Sequence, residues 1–323
     1  MNLKSSLPKG VFLTACLIGL VNAATAQSTK SAPADGPSFT RLVRTGKSNI
    51  LLETRAVHLV PLDGKGASIW LVGAAHIGQA SYYKSIQTLL DSQSLVLYEG
   101  VKQDIPKPDP KSTQATSASA QTPFPAKDKS TYRLFADAVG LDFQLYDIDY
   151  TKKTFKNSDL TWAEVSALST KQGKDTEKKV GGIGKLLDSG SKEGQMFGTF
   201  LQQIKSDPGS QEAMRIVLAE ALSQPGLLVG FLGEGTSDVL IKSRNGKVLE
   251  DLEHARSNKS VAIFFGAAHM PDMEKRITSQ KQYREAEERW LPAISGDESK
   301  VTGAGIAILG AFRQMLGVKH SPG

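Results

Sequence analysis

Cysteine is almost missing from this chain, because Cys16 is the only one among 323 residues. It lies in an amino-terminal segment that we expect to be removed, so the mature protein would contain no cysteine. Disulfide bridges, a thiolate nucleophile and cysteine metal ligands are therefore excluded for the mature chain. The lack of thiols suits an oxidising compartment, such as the periplasm or the cell exterior.

The apolar stretch near the amino terminus is too short to span a bilayer. Lys4 and Lys9 precede the apolar run 11–21, and residues 24–26, Ala-Thr-Ala, then match the small-residue pattern of a cleavage site. A membrane-spanning helix needs about 20 apolar residues. We therefore interpret residues 1–26 as a cleaved signal peptide. We expect an exported protein, periplasmic or secreted, with no stable transmembrane segment after cleavage.

A second interpretation of this segment stays open. Residues 13–16, Leu-Thr-Ala-Cys, resemble a bacterial lipobox, which would attach a lipid to Cys16. This alternative leaves little apolar sequence before the cysteine and places an apolar stretch after it. Cleavage near Ala26 is therefore favoured over lipidation.

The chain also lacks a strong excess of one charge. Its 39 basic and 33 acidic residues give a net charge of +6, and loss of the two lysines in the signal peptide lowers this to +4. The excess is spread along the chain without a dense basic stripe, which argues against a nucleic-acid partner. Hydrophobic residues make up 40% of the chain, enough for a substantial core.

Several familiar catalytic motifs are absent. The sequence contains no His-Glu-x-x-His, no Gly-x-Ser-x-Gly and no Gly-x-Gly-x-x-Gly at a strand–helix turn. Residues 45–48, Thr-Gly-Lys-Ser, resemble the end of a P-loop, but Arg41 stands where the first glycine belongs. The common zinc-protease, serine-hydrolase and nucleotide-binding signatures are therefore missing.

Hydrophobic periodicity predicts strands that alternate with helices. Short apolar or alternating runs predict strands at 50–53, 56–60, 69–72, 95–98, 143–146 and 261–265. Helical spacing predicts helices at 81–90, 132–139, around 162–165, and at 196–204, 211–222, 236–255 and 303–316. Strand–helix–strand units with short connections are typical of an α/β fold, with a central, mostly parallel sheet flanked by helices.

The predicted organisation is a signal peptide over 1–26, a leader over 27–48, an α/β domain over 49–297 and a C-terminal apolar helix and tail over 298–323. A flexible insertion after the second core strand (102–130) is rich in Pro, Ser, Thr, Ala, Gln and Lys. A helical insertion (156–228) occupies the middle and contains a polar connection over 170–195. Residues 157–159, Asn-Ser-Asp, are candidate caps for its first helix.

One short motif occurs twice. Residues 73–76 and 266–269 both read Gly-Ala-Ala-His, a Gly-x-x-His motif, and each copy follows a predicted buried strand. In both we expect the glycine, Gly73 or Gly266, to let the backbone turn tightly. Ligands of parallel sheets bind beyond the carboxyl ends of the strands, so both imidazoles should lie at one edge.

A carboxylate occupies the equivalent position on a third strand. Glu99 follows the predicted buried strand 95–98. If the three strands are neighbours, His76, Glu99 and His269 converge on a set of ligands that suits a divalent metal ion with an open position for water. Near the end of the predicted strand 143–146, Asp147 and Asp149 could add a ligand or a base.

The remaining histidines are weaker candidates. His58 lies within an alternating strand pattern, His254 in a charged helix and His320 in the carboxy-terminal tail. None of them follows a buried strand and a glycine.

These residues resemble the TraB/PrgY/GumN family, which is related to the TIKI metalloproteases and more distantly to erythromycin esterases and ChaN-like haem proteins. The resemblance is carried by residues 72–76, 98–100 and 265–269, and by the pair Arg244-Asn245 on the predicted helix before the second histidine motif. It covers roughly residues 50–292, and the low-complexity insertion after Glu99 departs from a compact family core.

The resemblance implies an α/β fold with a helical insertion and cleavage of peptide bonds. It implies a divalent cofactor, manganese or cobalt, and zinc is a further option. It places His76, Glu99 and His269 at metal or catalytic positions, and gives Arg244 and Asn245 a supporting role.

The leading hypothesis is therefore an exported, peptidase-like, metal-dependent hydrolase whose substrate is a peptide or a small molecule. In it the three predicted ligands hold the ion, an acid such as Asp149, Asp147 or Glu234 assists proton transfer, and Arg244 stabilises developing negative charge. The alternative is a binding protein without turnover that captures a secreted peptide or haem in the same pocket. A structural envelope protein is a third possibility.

Overall fold

The computed structural model describes residues 38–102, 131–171, 191–224, 234–279 and 282–316. The predicted signal peptide, most of the 102–130 insertion and most of the 170–195 connection lie outside these ranges. Within them no helix is both long and apolar enough to cross a membrane.

A seven-stranded sheet and a separate two-stranded sheet organise the fold. The strands are β1 (Thr40–Thr45), β2 (Asn49–Pro61), β3 (Ser68–Ala74), β4 (Ile77–Gly78), β5 (Leu95–Tyr98), β6 (Asp142–Phe143), β7 (Phe155–Asn157), β8 (Ser260–Gly266) and β9 (Tyr283–Asp297). The large sheet has the order β1-β2-β3-β8-β5-β7, and β9 pairs with the other edge of β2. Strands β4 and β6 form the small sheet.

The α/β prediction with a mostly parallel sheet is confirmed. Strands β3, β8, β5 and β7 pair in parallel. Strand β2 pairs antiparallel with β1, β3 and β9, so β2 alone runs against the others in the large sheet. The central strands β3 and β8 are apolar after their first residue, a serine in each, and Leu71, Ile263 and Leu97 are fully buried. Such strands need cover on both faces, which is the reason that helices flank the sheet.

Nine helices accompany the sheet within the described residues: α1 (Ala80–Asp91), α2 (Thr131–Val139), α3 (Gln144–Asp147), α4 (Trp162–Lys171), α5 (Lys192–Ser206), α6 (Pro208–Leu222), α7 (Glu234–His254), α8 (Met270–Ser279) and α9 (Ala304–Leu316). Buried side chains of α1, α2, α5, α6 and α9 form one core with one face of the sheet. Those of α7 and α8 form a second core with the other face.

The amino-terminal half of the sheet differs from the prediction in two ways. The two expected strands at 50–53 and 56–60 are one continuous strand, β2, whose register with β9 shifts between Leu52 and Glu53 and again between His58 and Leu59. Residues 40–45, expected in the leader, form β1 and pair with β2. The folded domain therefore begins before residue 49.

Strand β9 was not predicted. Residues 284–289 are all exposed and mostly charged, although they pair with β2 along one edge. Because both faces of this stretch contact solvent, it shows neither an apolar run nor a polar–apolar alternation. Its position at a sheet edge also explains the charged side chains, which discourage further strand pairing.

Two predicted local features are wrong. Residues 143–146 do not form a strand of the main sheet: β6 is a two-residue strand paired with β4, and α3 follows at once. The caps expected at 157–159 are also wrong, because Asn157 ends β7. The cap is Thr161, whose N–H and hydroxyl donate to the Glu164 carboxylate while its hydroxyl accepts the Glu164 N–H.

A buried ion pair joins the predicted C-terminal helix to the domain. Arg313 on α9 donates hydrogen bonds from Nε and Nη2 to the carboxylate of Glu220 on α6, and the shorter of the two is 2.7 Å. Both residues are almost fully buried. Glu220 also pairs with Arg44, and Arg313 also pairs with Glu298. Removal of Arg313 would leave the buried Glu220 with the half-exposed Arg44 as its charged partner, which is more destabilising than the loss of an exposed pair.

We therefore expect Arg313→Met to lower the free energy of unfolding by about 1.5–3 kcal/mol, because Glu220 keeps Arg44 as a partner. The double variant Arg313→Met, Glu220→Leu should recover most of this loss, since an apolar pair replaces the ion pair. Urea unfolding measures both. Lys300→Met is the matched control, because Lys300 forms an exposed pair with Asp297 and should lose less than about 1 kcal/mol. A double variant as unstable as Arg313→Met would contradict this account.

Candidate active site

Three neighbouring parallel strands bring the predicted residues to one edge of the sheet. Strand β8 lies between β3 and β5. Ala74 of β3 is level with Gly266 of β8, and Tyr98 of β5 is level with Phe264. Glu99 directly follows β5, while both histidines follow the ends of β3 and β8. The expected convergence of the three strand ends is therefore present.

Glu99 is the centre of this cluster. Its Oε2 accepts a hydrogen bond from the Gly266 N–H at 2.7 Å, and its Oε1 accepts one from Nη2 of Arg244 at 2.7 Å. Burial by itself would raise the pKa of this carboxyl group. The nearby imidazoles, the Arg244 guanidinium and the Gly266 N–H outweigh burial and lower the pKa of Glu99 to about 2. Glu99 is therefore ionised at neutral pH.

Asp159 is a second carboxylate of this cluster, which the sequence did not identify as a site residue. It is fully buried and receives Nε and Nη2 of Arg244 at 2.9 and 2.5 Å. Its carboxylate also accepts the backbone N–H groups of Gly100 and Leu160. A polar residue after a short, half-exposed strand gave no distinctive signal, because β7 is too brief to be recognised as a sheet strand.

Arg244 therefore serves two anions. Its guanidinium pairs with Glu99 and with Asp159, and these contacts raise its pKa although burial lowers it. One positive charge faces two negative charges, so these three side chains together carry a residual negative charge. The supporting role that the family resemblance implied for Arg244 stays a prediction.

His269 lies on the buried side of the cluster. Its Nε2 is 3.6 Å from Oε1 of Glu99 and 3.5 Å from Nη1 of Arg244. Its Nδ1 is 2.7 Å from Oδ1 of Asn245, and the amide nitrogen of Asn245 donates to the His269 carbonyl and to Asp272. Burial of the ring outweighs the attraction of Glu99 and lowers the pKa of His269 to about 4. The imidazole is therefore neutral at neutral pH.

His76 lies on the exposed side of the cluster. Its Nδ1 is 2.9 Å from Oε1 of Gln144, whose amide nitrogen lies 2.8 Å from the Tyr150 hydroxyl. The turn before His76 is also held, because the Ala75 N–H donates to Tyr82 and the Ala75 carbonyl accepts from Tyr83. His76 is therefore the most exposed of the three predicted site residues, since Glu99 is partly buried and His269 is buried.

The two motif glycines do not serve the purpose that the sequence predicted. Neither Gly73 nor Gly266 belongs to the glycines with positive φ, so no left-handed turn requires them. Space is the reason instead. A Cβ at Gly266 would lie 3.1 Å from Nε2 of His76 and 3.3 Å from Oε2 of Glu99. A Cβ at Gly73 would meet Phe39 and the backbone at 3.1–3.4 Å.

The predicted acids are not brought into this cluster. Asp147 and Asp149 are both exposed, and the Asp149 carboxylate accepts the N–H and hydroxyl of Thr151 in a local turn. The Asp149 N–H donates to Gln87 on the outer side of α1. They lie elsewhere because the expected strand 143–146 is instead β6 and α3. Glu234 begins α7, and its side chain lies outside the described part of the structure.

The cluster contains residue types that bind metal ions, but the described side chains are not arranged as a metal site. Among the described residues, no group of three or more His, Cys, Asp or Glu side chains is arranged to hold a metal ion. Both oxygens of Glu99 already accept a hydrogen bond, although each carboxylate oxygen has a further lone pair. The predicted manganese, cobalt or zinc site stays a prediction.

Comparisons with known proteins do not extend this description. No protein-family profile, curated protein or solved structure matches the chain.

Acidification should destabilise the metal-free protein over a range set by His269. Its pKa falls from 6.5 to about 4 on folding, so the unfolded chain binds this proton more readily than the folded protein. The stability contribution is complete above pH 6.5 and is lost as the pH falls towards 4, by on the order of 3 kcal/mol. Urea unfolding with a chelator present, at a series of pH values, measures this loss.

His269→Gln should flatten the profile over this pH range, because it removes the titrating ring. The matched control is His254→Gln, since His254 is exposed on α7; its profile should follow that of the wild type. Identical pH profiles for the wild type and His269→Gln would refute the assignment.

A methyl group at Gly266 should disturb the site directly. Gly266→Ala forces the His76 ring or the Glu99 carboxylate to move, and we expect a loss of about 1–3 kcal/mol in unfolding free energy. In Gly246→Ala the added carbon meets nothing within 4 Å, and this helical position should gain about 0.4–1 kcal/mol. Thermal and urea unfolding compare the two. Equal stability of both variants would show that the close approach at Gly266 is unimportant.

Proposed function

We propose that this chain is a hydrolase that activates water at the edge formed by His76, Glu99 and His269. The observation that carries the proposal is the meeting of two imidazoles and an ionised carboxylate at the ends of three adjacent parallel strands. Ligand and substrate sites of open α/β sheets lie at this edge. Proteins use the same residue types to activate water.

We further propose that a divalent metal ion completes the site, held by His76, Glu99 and His269. Two features of the described residues fit a divalent cation. The pairing of one guanidinium with two carboxylates leaves a negative charge that a cation would balance. Each histidine also has Nδ1 against a side-chain amide oxygen, the arrangement that supports histidine ligands. A bound divalent ion would lower the pKa of a water molecule and polarise a carbonyl group.

The side chains around the proposed ion each have a separate role in this mechanism. Glu99 stays ionised because Arg244 and the Gly266 N–H stabilise its charge. His269 is buried and neutral, so water is excluded from that side of the cluster. The exposed position of His76 leaves the opposite side open to a substrate. Arg244 fixes Glu99 and is the nearest positive charge for developing negative charge on a reacting carbonyl.

Exposed apolar side chains beside the site support a peptide substrate. Val101 lies two residues after Glu99 and is 37% exposed, and Trp162 is 63% exposed. The Trp162 N–H donates to the carbonyl of Lys102 at 2.8 Å, which places the start of α4 beside the segment that follows Glu99. Exposed aromatic surface next to a polar cluster suits the side chains of an extended peptide. Peptide hydrolysis is also the activity that the TraB/PrgY/GumN resemblance implies.

A binding protein without turnover is the second candidate. One observation favours it: Arg244 and Gly266 already satisfy both oxygens of Glu99, so the cluster is stable without an ion. Such a protein would capture a secreted peptide or haem at the same edge. Haem capture would give a Soret band whose position changes in His76→Ala.

The test uses the purified full chain, elemental analysis and a peptide-library cleavage assay. We expect one bound divalent ion for each chain and cleaved peptides in the assay. In His76→Ala and His269→Ala both signals should fall to background, because each variant removes a proposed ligand. His254→Ala should keep both, since His254 is exposed and its Nδ1 faces the Glu250 carbonyl within α7.

Two results would contradict the proposal. Stoichiometric metal in both histidine variants would place the ion elsewhere. Recovery of an intact peptide from a stable complex, with no fragments at any enzyme concentration, would favour the binding role instead.

A further inference from the structure

The two histidines share a supporting contact that their sequence motifs do not contain. Nδ1 of His269 faces the amide oxygen of Asn245 at 2.7 Å, and Nδ1 of His76 faces the amide oxygen of Gln144 at 2.9 Å. We propose that Gln144 is a positioning residue: it holds His76 in the Nδ1–H tautomer and turns its Nε2 lone pair towards Glu99. The effect of Gln144 on ion binding rests on the proposed function. Its effect on the His76 tautomer is independent of that function.

Gln144 is bound to His76 at two points. Its side-chain oxygen faces the ring, and its backbone N–H donates to the His76 carbonyl at 3.0 Å. Gln144 is also the first residue of α3, and it is 2% exposed. A buried amide must satisfy both its oxygen and its nitrogen. The geometry satisfies the oxygen with His76 Nδ1–H and the nitrogen with the Tyr150 hydroxyl.

Asn245 shows the same arrangement with its orientation decided. Its amide nitrogen lies 2.8 Å from a carboxylate oxygen of Asp272 and 3.1 Å from the His269 carbonyl. A carbonyl oxygen and a carboxylate oxygen are both hydrogen-bond acceptors, so the amide group that faces them is the NH2. The oxygen of Asn245 therefore faces Nδ1 of His269, which must carry the hydrogen. The Gln144 contact repeats this arrangement on the other copy of the motif.

The orientation determines which atom the ring presents to the site. With the hydrogen on Nδ1, Nε2 of His76 carries a lone pair, and it lies 3.1 Å from the position that a Cβ of Gly266 would take. The Glu99 carboxylate is 3.3 Å from the same point. An amide oxygen selects this tautomer without adding a negative charge behind the ring. Both histidines are thereby prepared as lone-pair donors that face one carboxylate.

The tautomer can be read directly by long-range proton–nitrogen NMR correlations of 15N-histidine-labelled full chain in the presence of a chelator. His76→Ala and His269→Ala assign the two signals. We expect both rings in the Nδ1–H tautomer in the wild type. In Gln144→Leu the His76 ring should become a mixture of tautomers, while His269 stays unchanged. Gln144→Glu restores an acceptor oxygen and should restore the Nδ1–H tautomer.

The matched control is Gln93→Leu, because Gln93 is also buried but contacts Leu89 and Ser92, away from the site. It should leave both rings unchanged, which separates a local effect from a general loss of packing. An Nε2–H tautomer of His76 in the wild type would overturn the inference. An unchanged Nδ1–H signal in Gln144→Leu would overturn it as well.

Ion binding tests the consequence. In calorimetric titration with Mn²⁺, Co²⁺ or Zn²⁺ we expect Gln144→Leu to bind about 10–100-fold more weakly than the wild type, and Gln93→Leu to bind equally well. Equal affinity in Gln144→Leu would overturn the positioning role. No binding by the wild type would overturn the proposed metal site, and the NMR result would still decide the tautomer.

Discussion

The carboxylate of Glu99 is the contact on which the site depends. It joins the end of β5 to the backbone of β8 through the Gly266 N–H, and to α7 through Arg244. Arg244 in turn binds Asp159 in the segment after β7. A mostly buried anion requires such partners, because a charge withdrawn from water and left unpaired is costly. The same contacts that stabilise the charge therefore hold three strands and a helix in register at the edge where both histidines lie.

This arrangement explains why the Gly-Ala-Ala-His motif occurs twice. The two copies end adjacent parallel strands, but they do not play equal parts: His269 is buried against Arg244, whereas His76 is exposed. The glycine of the second copy admits the side chains of Glu99 and His76 against the backbone. Small residues at these strand ends thus make room for the polar groups. This asymmetry gives the site one closed side and one open side.

Much of this could be predicted from the sequence, because buried parallel strands appear as short, fully apolar runs. That signal located β3, β5 and β8, and with them His76, Glu99 and His269. Asp159 and Gln144 could not be found, since they follow the short elements β7 and β6, which depend on tertiary pairing. Strand β9 escaped prediction because its exposed faces carry charges. Asp149 was misplaced for a related reason: the apolar segment 143–146 turns into α3 rather than continuing a strand.

The account is tested most directly by anomalous diffraction from crystals of the full chain grown with Zn²⁺ or Mn²⁺. Its central claim predicts one strong peak between Nε2 of His76, Nε2 of His269 and the Glu99 carboxylate, with ligand distances of about 2.0–2.2 Å. A small shift of Arg244 away from Glu99 should accompany it. A fully occupied ion elsewhere on the chain, with the Glu99–Arg244 contact intact and no density between the histidines, would contradict the claim.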